Sequence, residues 1–216
     1  MIDIIFFAAI AAFIGFRLYN VLGHKNFEPG KINSTPVTNN GPEKTLDANY
    51  TIIKPEDDSV LNEKFGKTMA DNIREIRKYD PSFKAESFID GAKKAFEIIV
   101  KAFSSGNKDA LKPLLSKDVF QNFANEIDKR AAQEKAEETT LVAIISSNIK
   151  NIALNKKYVK IAIQIVSEQI NVIRDKQGKI VDGNPSKVDR VEELWTFGRD
   201  LSSTNPNWEL LETAAV

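Results

Sequence analysis

Two carboxylates are the residues best placed to do chemistry: Glu168 in YVKIAIQIVSEQINVI and Glu193 in VEELWTFGRDL. Both sit in runs that read as strands, next to apolar neighbours. A carboxyl group facing an apolar cavity has its pKa raised and can act as a general base on a small apolar substrate. Facing outward to water, or to an arginine such as Arg199, it has no such role. Little else in the chain would assist it. The one histidine, His24, lies beside an apolar stretch far from both carboxylates and reads as an interfacial polar residue. With no cysteine, thiolate nucleophiles, cysteine metal sites and disulfides are excluded, and the absence fits a reducing compartment. No Ser-His-Asp triad or histidine-based zinc site can be built around His24. There is no glycine-rich phosphate loop, and DKQGKIVDG lacks the aspartate spacing of a calcium loop. The expectation is a binding protein without cofactor or metal, not an enzyme. Cavity-based catalysis by Glu168 or Glu193 is the alternative.

The elements that position these groups are read from the periodicity. From Thr139 the apolar residues recur every second position in TLVAIISSNIKNIAL and YVKIAIQIVSEQINVI, with Asn155-Lys156-Lys157 as the turn between two strands. The inward set begins as Val159, Ile161, Ile163 and Ile165, then moves to Ile170 and Val172, which predicts a bulge near Ser167. RDKQGKIVDGNPSK reads as a long polar loop. VEELWTFGRDL and NPNWELLETA close the sheet, with Val191, Glu193, Trp195, Phe197 and Arg199 on one face. Ahead of the strands, Phe88, Ala92, Phe96, Ile99 and Phe103 keep helical spacing until Ser104-Ser105-Gly106-Asn107 stops the helix. A short helix carries Leu111, Leu114 and Leu115. Another starts at the cap Ser116, presents Val119, Phe120, Phe123 and Ile127, and ends in the polar run DKRAAQEKAEE, read as a solvated helix end. Three or four antiparallel strands after helices make an α+β domain.

Between these layers an apolar ligand pocket would be walled by Phe96, Ile99, Phe103, Phe120, Phe123, Ile163, Trp195 and Phe197, all equally suited to plain core packing. Trp195 and Trp208 suit a rim, because an indole N–H seeks a polar neighbour. Lys156, Lys157, Arg174, Lys176 and Lys179 lie on turns at strand ends, where they face either water or anionic lipid headgroups.

The rest of the chain concerns location. Thirty basic residues balance thirty acidic ones, and a net charge of zero argues against nucleic acid as the main partner. The segment 57–79 carries Leu61, Phe65, Met69, Ile73 and Ile76 on one helical stripe ending before Pro81. That stripe packs on the body, on the membrane surface, or on a second copy as a homo-oligomer through 59–79. Residues 23–56, rich in Pro, Gly, Asn and Thr, read as a flexible linker. Ahead of it, the stretch from Ile4 to Leu22 holds only Arg17 as a charge. At 1.5 Å per residue it would span ~28 Å, close to a bilayer core. Only Asp3 is charged before it, whereas a signal peptide needs a basic n-region. Residues 1–22 are therefore expected to be one retained transmembrane anchor. By the positive-inside rule Arg17, Lys25 and Lys31 place the long C-terminal portion in the cytoplasm, or its topological equivalent.

LWTFGRD together with the nearby PNWEL, and SFIDGAKKAFEIIVKAFSSGNKDALKPLLSKDVFQNF before them, resembles the mitochondrial inner-membrane translocase subunit forty-four family over residues 80–216. The hydrophobic N-terminal segment and polar linker are similar to its alphaproteobacterial, membrane-anchored members. The resemblance implies a cone akin to the nuclear transport factor two fold, with helices packed into a curved antiparallel sheet around an apolar pocket. It also implies a membrane scaffold that binds a protein partner or lipid, linked to protein translocation or envelope assembly. No chaperone-binding segment matches residue by residue.

Overall fold

The computed structural model describes residues 58–216, so the expected anchor over 1–22 and linker over 23–56 lie outside the described residues. Among those described, no helix is long and apolar enough to cross a membrane.

The single helix expected over 57–79 is two, α1 (Asp58–Phe65) and α2 (Lys67–Tyr79). Gly66 separates them at φ 74°, ψ 163°, a region essentially reserved for glycine. The break lets both pieces turn their apolar sides to the same core. Leu61, Phe65, Ala70, Ile73 and Ile76 are buried and Met69 packs against them. The stripe is thus consumed within the chain rather than presented to another copy. Asn72 Nδ2 donates to the Ile152 carbonyl at 2.7 Å, tying α2 to the sheet.

Helix α3 (Ala85–Ser104) buries Phe88, Ala92, Phe96, Ile99 and Phe103, as the spacing predicts. The four-residue α4 (Lys108–Leu111) is capped by Asn107, whose side chain accepts from the Ala110 N–H at 3.1 Å. Ser116 caps α5 (Lys117–Ala132) at 3.4 Å, where it is expected. The solvated reading of the run after Ile127 fails at Arg130. This guanidinium is buried, pairs with Glu137, donates to the Phe103 carbonyl at 2.6 Å and lies 4.5 Å from the Phe103 ring centroid. Periodicity assigns a residue to a face, but a partner from a strand seven residues on is a tertiary fact.

The strands are β1 (Ala136–Asn155), β2 (Tyr158–Arg174), β3 (Ile180–Gly183), β4 (Asp189–Asp200) and β5 (Glu209–Ala215). They form one antiparallel sheet in the order β1-β2-β4-β5, with β3, inside the expected polar loop, pairing the far end of β2. The curvature is not where the apolar pattern puts it. Strand β2 runs in unbroken register against β4 from Tyr158 to Gln169. The extra residues lie on β1, with shifts at Leu141/Ala143, Ile144/Ser146 and Ile149/Asn151. Ser167 and Gln169 therefore stay on the inner face with Ile163 and Ile165, and both are buried. The odd-to-even change reflects polar residues accepted inside, not a change of face.

Candidate functional site

Among the described residues the helices leave an opening against the sheet, a groove of about 410 Å³, within the range that holds small ligands. Its floor is aromatic. Phe88 meets Trp208 edge-on at 4.9 Å and Phe197 at 6.0 Å, and Phe83 stands 6.2 Å from Trp208. Ser87, Gly91 and Ala95 on α3 form a low wall, while Pro113 and Leu114 face them across the opening.

One end of the groove is charged. Arg199 Nη1 donates to Asp80 Oδ2 at 3.0 Å, and the guanidinium lies 5.9 Å from the Trp208 ring centroid. Burial pushes the Asp80 carboxyl up, but the Ser82 hydroxyl and Arg199 more than offset this and hold it below the usual carboxylate range. Arg199 Nε is buried without a hydrogen-bond partner.

Few of the expected wall residues line this groove. Phe197 does. Phe96 and Ile163 are wholly enclosed, and Phe120 is partly buried against the core. Ile99, Phe103, Phe123 and Trp195 line a second, much smaller cavity of about 30 Å³ with Val100, Glu193 and Thr213. The pocket expected from these residues is thus largely filled by their own packing. Trp208 lines the groove, whereas Trp195 is 3% exposed and packs edge-on to Phe96 at 4.8 Å. Asp80, Phe83 and Leu114 escaped sequence reasoning, because a loop, a helix start and a helix–helix linker meet only after folding.

The two carboxylates separate clearly. Glu168 alternates away from Ile165 and stands opposite Arg190 on the outer face. Glu193 points inward, and burial raises its pKa to about 7, a rise that the nearby Trp195 indole N–H partly offsets. That N–H does not reach hydrogen-bonding geometry with any protein group. A cavity of about 30 Å³ holds a water molecule but no organic substrate.

The expected headgroup cations do not form one patch. Lys156 and Lys157 occupy the β1–β2 turn, and Lys157 Nζ sits 5.6 Å from the Tyr79 ring centroid. Arg174, Lys176 and Lys179 lie at the other end of β2, a contour on the order of 50 Å away. There Arg174 pairs with Glu138 at 2.9 Å and Lys176 with Glu134 at 2.8 Å. Among the described residues no group of acidic, histidine or cysteine side chains could hold a metal ion.

Among known families, the Tim44-like domain matches residues 69–215. The mitochondrial import inner membrane translocase subunit TIM44 of Mus musculus is 29% identical over 163 residues, covering 72% of this chain and 35% of that protein. TIM44-1 of Arabidopsis thaliana is 25% identical over 196 residues, covering 83% and 40%. The chain therefore spans well under half the length of these relatives. Among solved structures, the intermembrane space region of the chloroplast protein ARC6 aligns at TM-score 0.46 and 11% identity, covering 63% of this chain and 98% of that one. An NTF2-like protein from Cytophaga hutchinsonii aligns at TM-score 0.34 and 12% identity, covering 62% and 100%.

Proposed function

Because the chain belongs to the Tim44-like domain family, we propose that it is a membrane-tethered binding head working at an inner membrane in protein translocation or envelope assembly. The groove floored by Phe83, Phe88, Phe197 and Trp208 takes an apolar segment of a protein partner or a lipid acyl chain. The Asp80–Arg199 end receives a polar group of that ligand. The observation that carries this reading is the open volume of about 410 Å³ beside the aromatic rings of Phe83, Phe88, Phe197 and Trp208. The names of the relatives supply the membrane and the process. The apolar stretch from Ile4 to Leu22 supplies the tether, with the folded part on the cytoplasmic face. Anionic headgroups meet Lys156 and Lys157, the exposed cations of the β1–β2 turn. Catalysis by Glu193 is the weaker reading, since its cavity admits only water.

The test is crosslinking and pull-down of the full-length protein from native membranes, comparing wild type with Trp208→Ala. Trp195→Ala would not serve, because it opens a hole in the core. Trp208→Ala should stay folded and lose one abundant protein or lipid. An unchanged profile from a folded variant would remove the groove from the function.

A further inference from the structure

The small cavity on the inner face of β4 and β5 is distinct from the groove, and what occupies the groove does not bear on it. It combines three features. Its volume of about 30 Å³ suits a single water. Its walls are apolar, with Ile99, Val100 and Phe103 from α3 and Phe123 from α5. Its polar groups come from neighbouring strands: Glu193 and Trp195 from β4, and Thr213, which stands opposite Trp195 on β5. Trp195 Nε1 is buried and lacks a protein acceptor of good geometry, a situation that costs free energy unless a water accepts from it.

We propose that Glu193, Trp195 and Thr213 form a binding site for one water molecule and one proton, which holds the α3 and α5 cover on the sheet when Glu193 is neutral. A protonated carboxyl both donates and accepts, so a water accepting from Trp195 Nε1 completes its bonds with Glu193 and the Thr213 hydroxyl. Loss of the proton leaves a charge beneath Phe103 and Phe123, whose rings meet edge-on at 4.8 Å. Further water entry then relieves the charge and lifts the cover.

No charged partner compensates Glu193. From α3 it faces only apolar side chains, and across β2 and β5 it stands opposite Ile165 and Ala215. Of the charged residues of the covering α5, Lys117 and Asp118 are exposed, Glu126 pairs with Lys129, Asp128 with Lys108, and Arg130 with Glu137 of β1. Only burial and Trp195 shift the Glu193 carboxyl.

Full-length protein in detergent, carrying Trp208→Phe so that Trp195 is the sole indole, provides the assay. Its emission should titrate once, with a midpoint near the value of about 7 expected for Glu193. Glu193→Gln in the same background should abolish the titration while the circular dichroism stays native. Thr213→Val, which removes one hydroxyl at similar volume from the network of the neutral form, should lower the midpoint. A crystal structure at pH 6 should show one ordered water within hydrogen-bond reach of Trp195 Nε1. A titration that survives Glu193→Gln, an unmoved midpoint in Thr213→Val, or a dry cavity would each overturn the proposal.

Discussion

At the residue scale the chain uses its buried charges in opposite ways. Arg130 is desolvated but held by Glu137, the Phe103 carbonyl and the Phe103 ring, so its charge has partners on several sides. Glu193 has almost none, and its folded pKa of about 7 stands above the ordinary 4.5. A group whose pKa is raised on folding adds its full stability below the unfolded pKa and loses it as pH climbs to the folded one. The loss therefore runs from about pH 4.5 to 7 and amounts to roughly 3 kcal/mol at ~1.4 kcal/mol per pH unit. Urea unfolding of wild type should weaken over that window, whereas Glu193→Gln should show a flatter profile and exceed wild type at pH 8. Equal slopes for the two proteins would contradict the burial of a lone carboxyl.

At the element scale the instructive piece is the pair α1 and α2. The spacing of Leu61, Phe65, Met69, Ile73 and Ile76 belongs to one straight helix, yet Gly66 breaks it with a backbone only glycine tolerates well. A Cβ at Gly66 would meet nothing within 4 Å, so any penalty for Gly66→Ala comes from φ and ψ alone. That penalty should be about 1–3 kcal/mol. Faster amide exchange in α1 with β4 unchanged would confirm it, and a variant as stable as wild type would show that α1 redocks as a continuous helix. Strand β1 carries the comparable lesson for the sheet. Its three register shifts supply bends that the regular apolar spacing of β2 cannot reveal, because bulges answer to the partner strand.

At the scale of the whole molecule, the core is complete within the described residues. It runs from Leu61 through α3 and α5 to Leu210 and closes around Phe96 and Phe197. Protein beginning at residue 58 should therefore fold alone and stay in the supernatant of a membrane preparation, while the full chain should resist carbonate extraction. Release of the full chain by carbonate would remove the tether from the proposed function. The groove shares Phe83, Phe88 and Phe197 with this core, so an occupant that binds the folded state adds to its stability.

By itself the sequence determined the α+β order, the α3 and α5 core faces, the Ser116 cap and the β1–β2 turn, because each rests on local spacing or a local hydrogen bond. Only the tertiary structure decided which aromatics fill the core and which border a groove. It also decided that Arg199 meets Asp80, 119 residues away in sequence, and that Glu193 rather than Glu168 lies on the inner face of the sheet. The physical reason is common to all three. An apolar or charged side chain announces in sequence that it needs a neighbour, while the identity of that neighbour is set by chain closure over long distances.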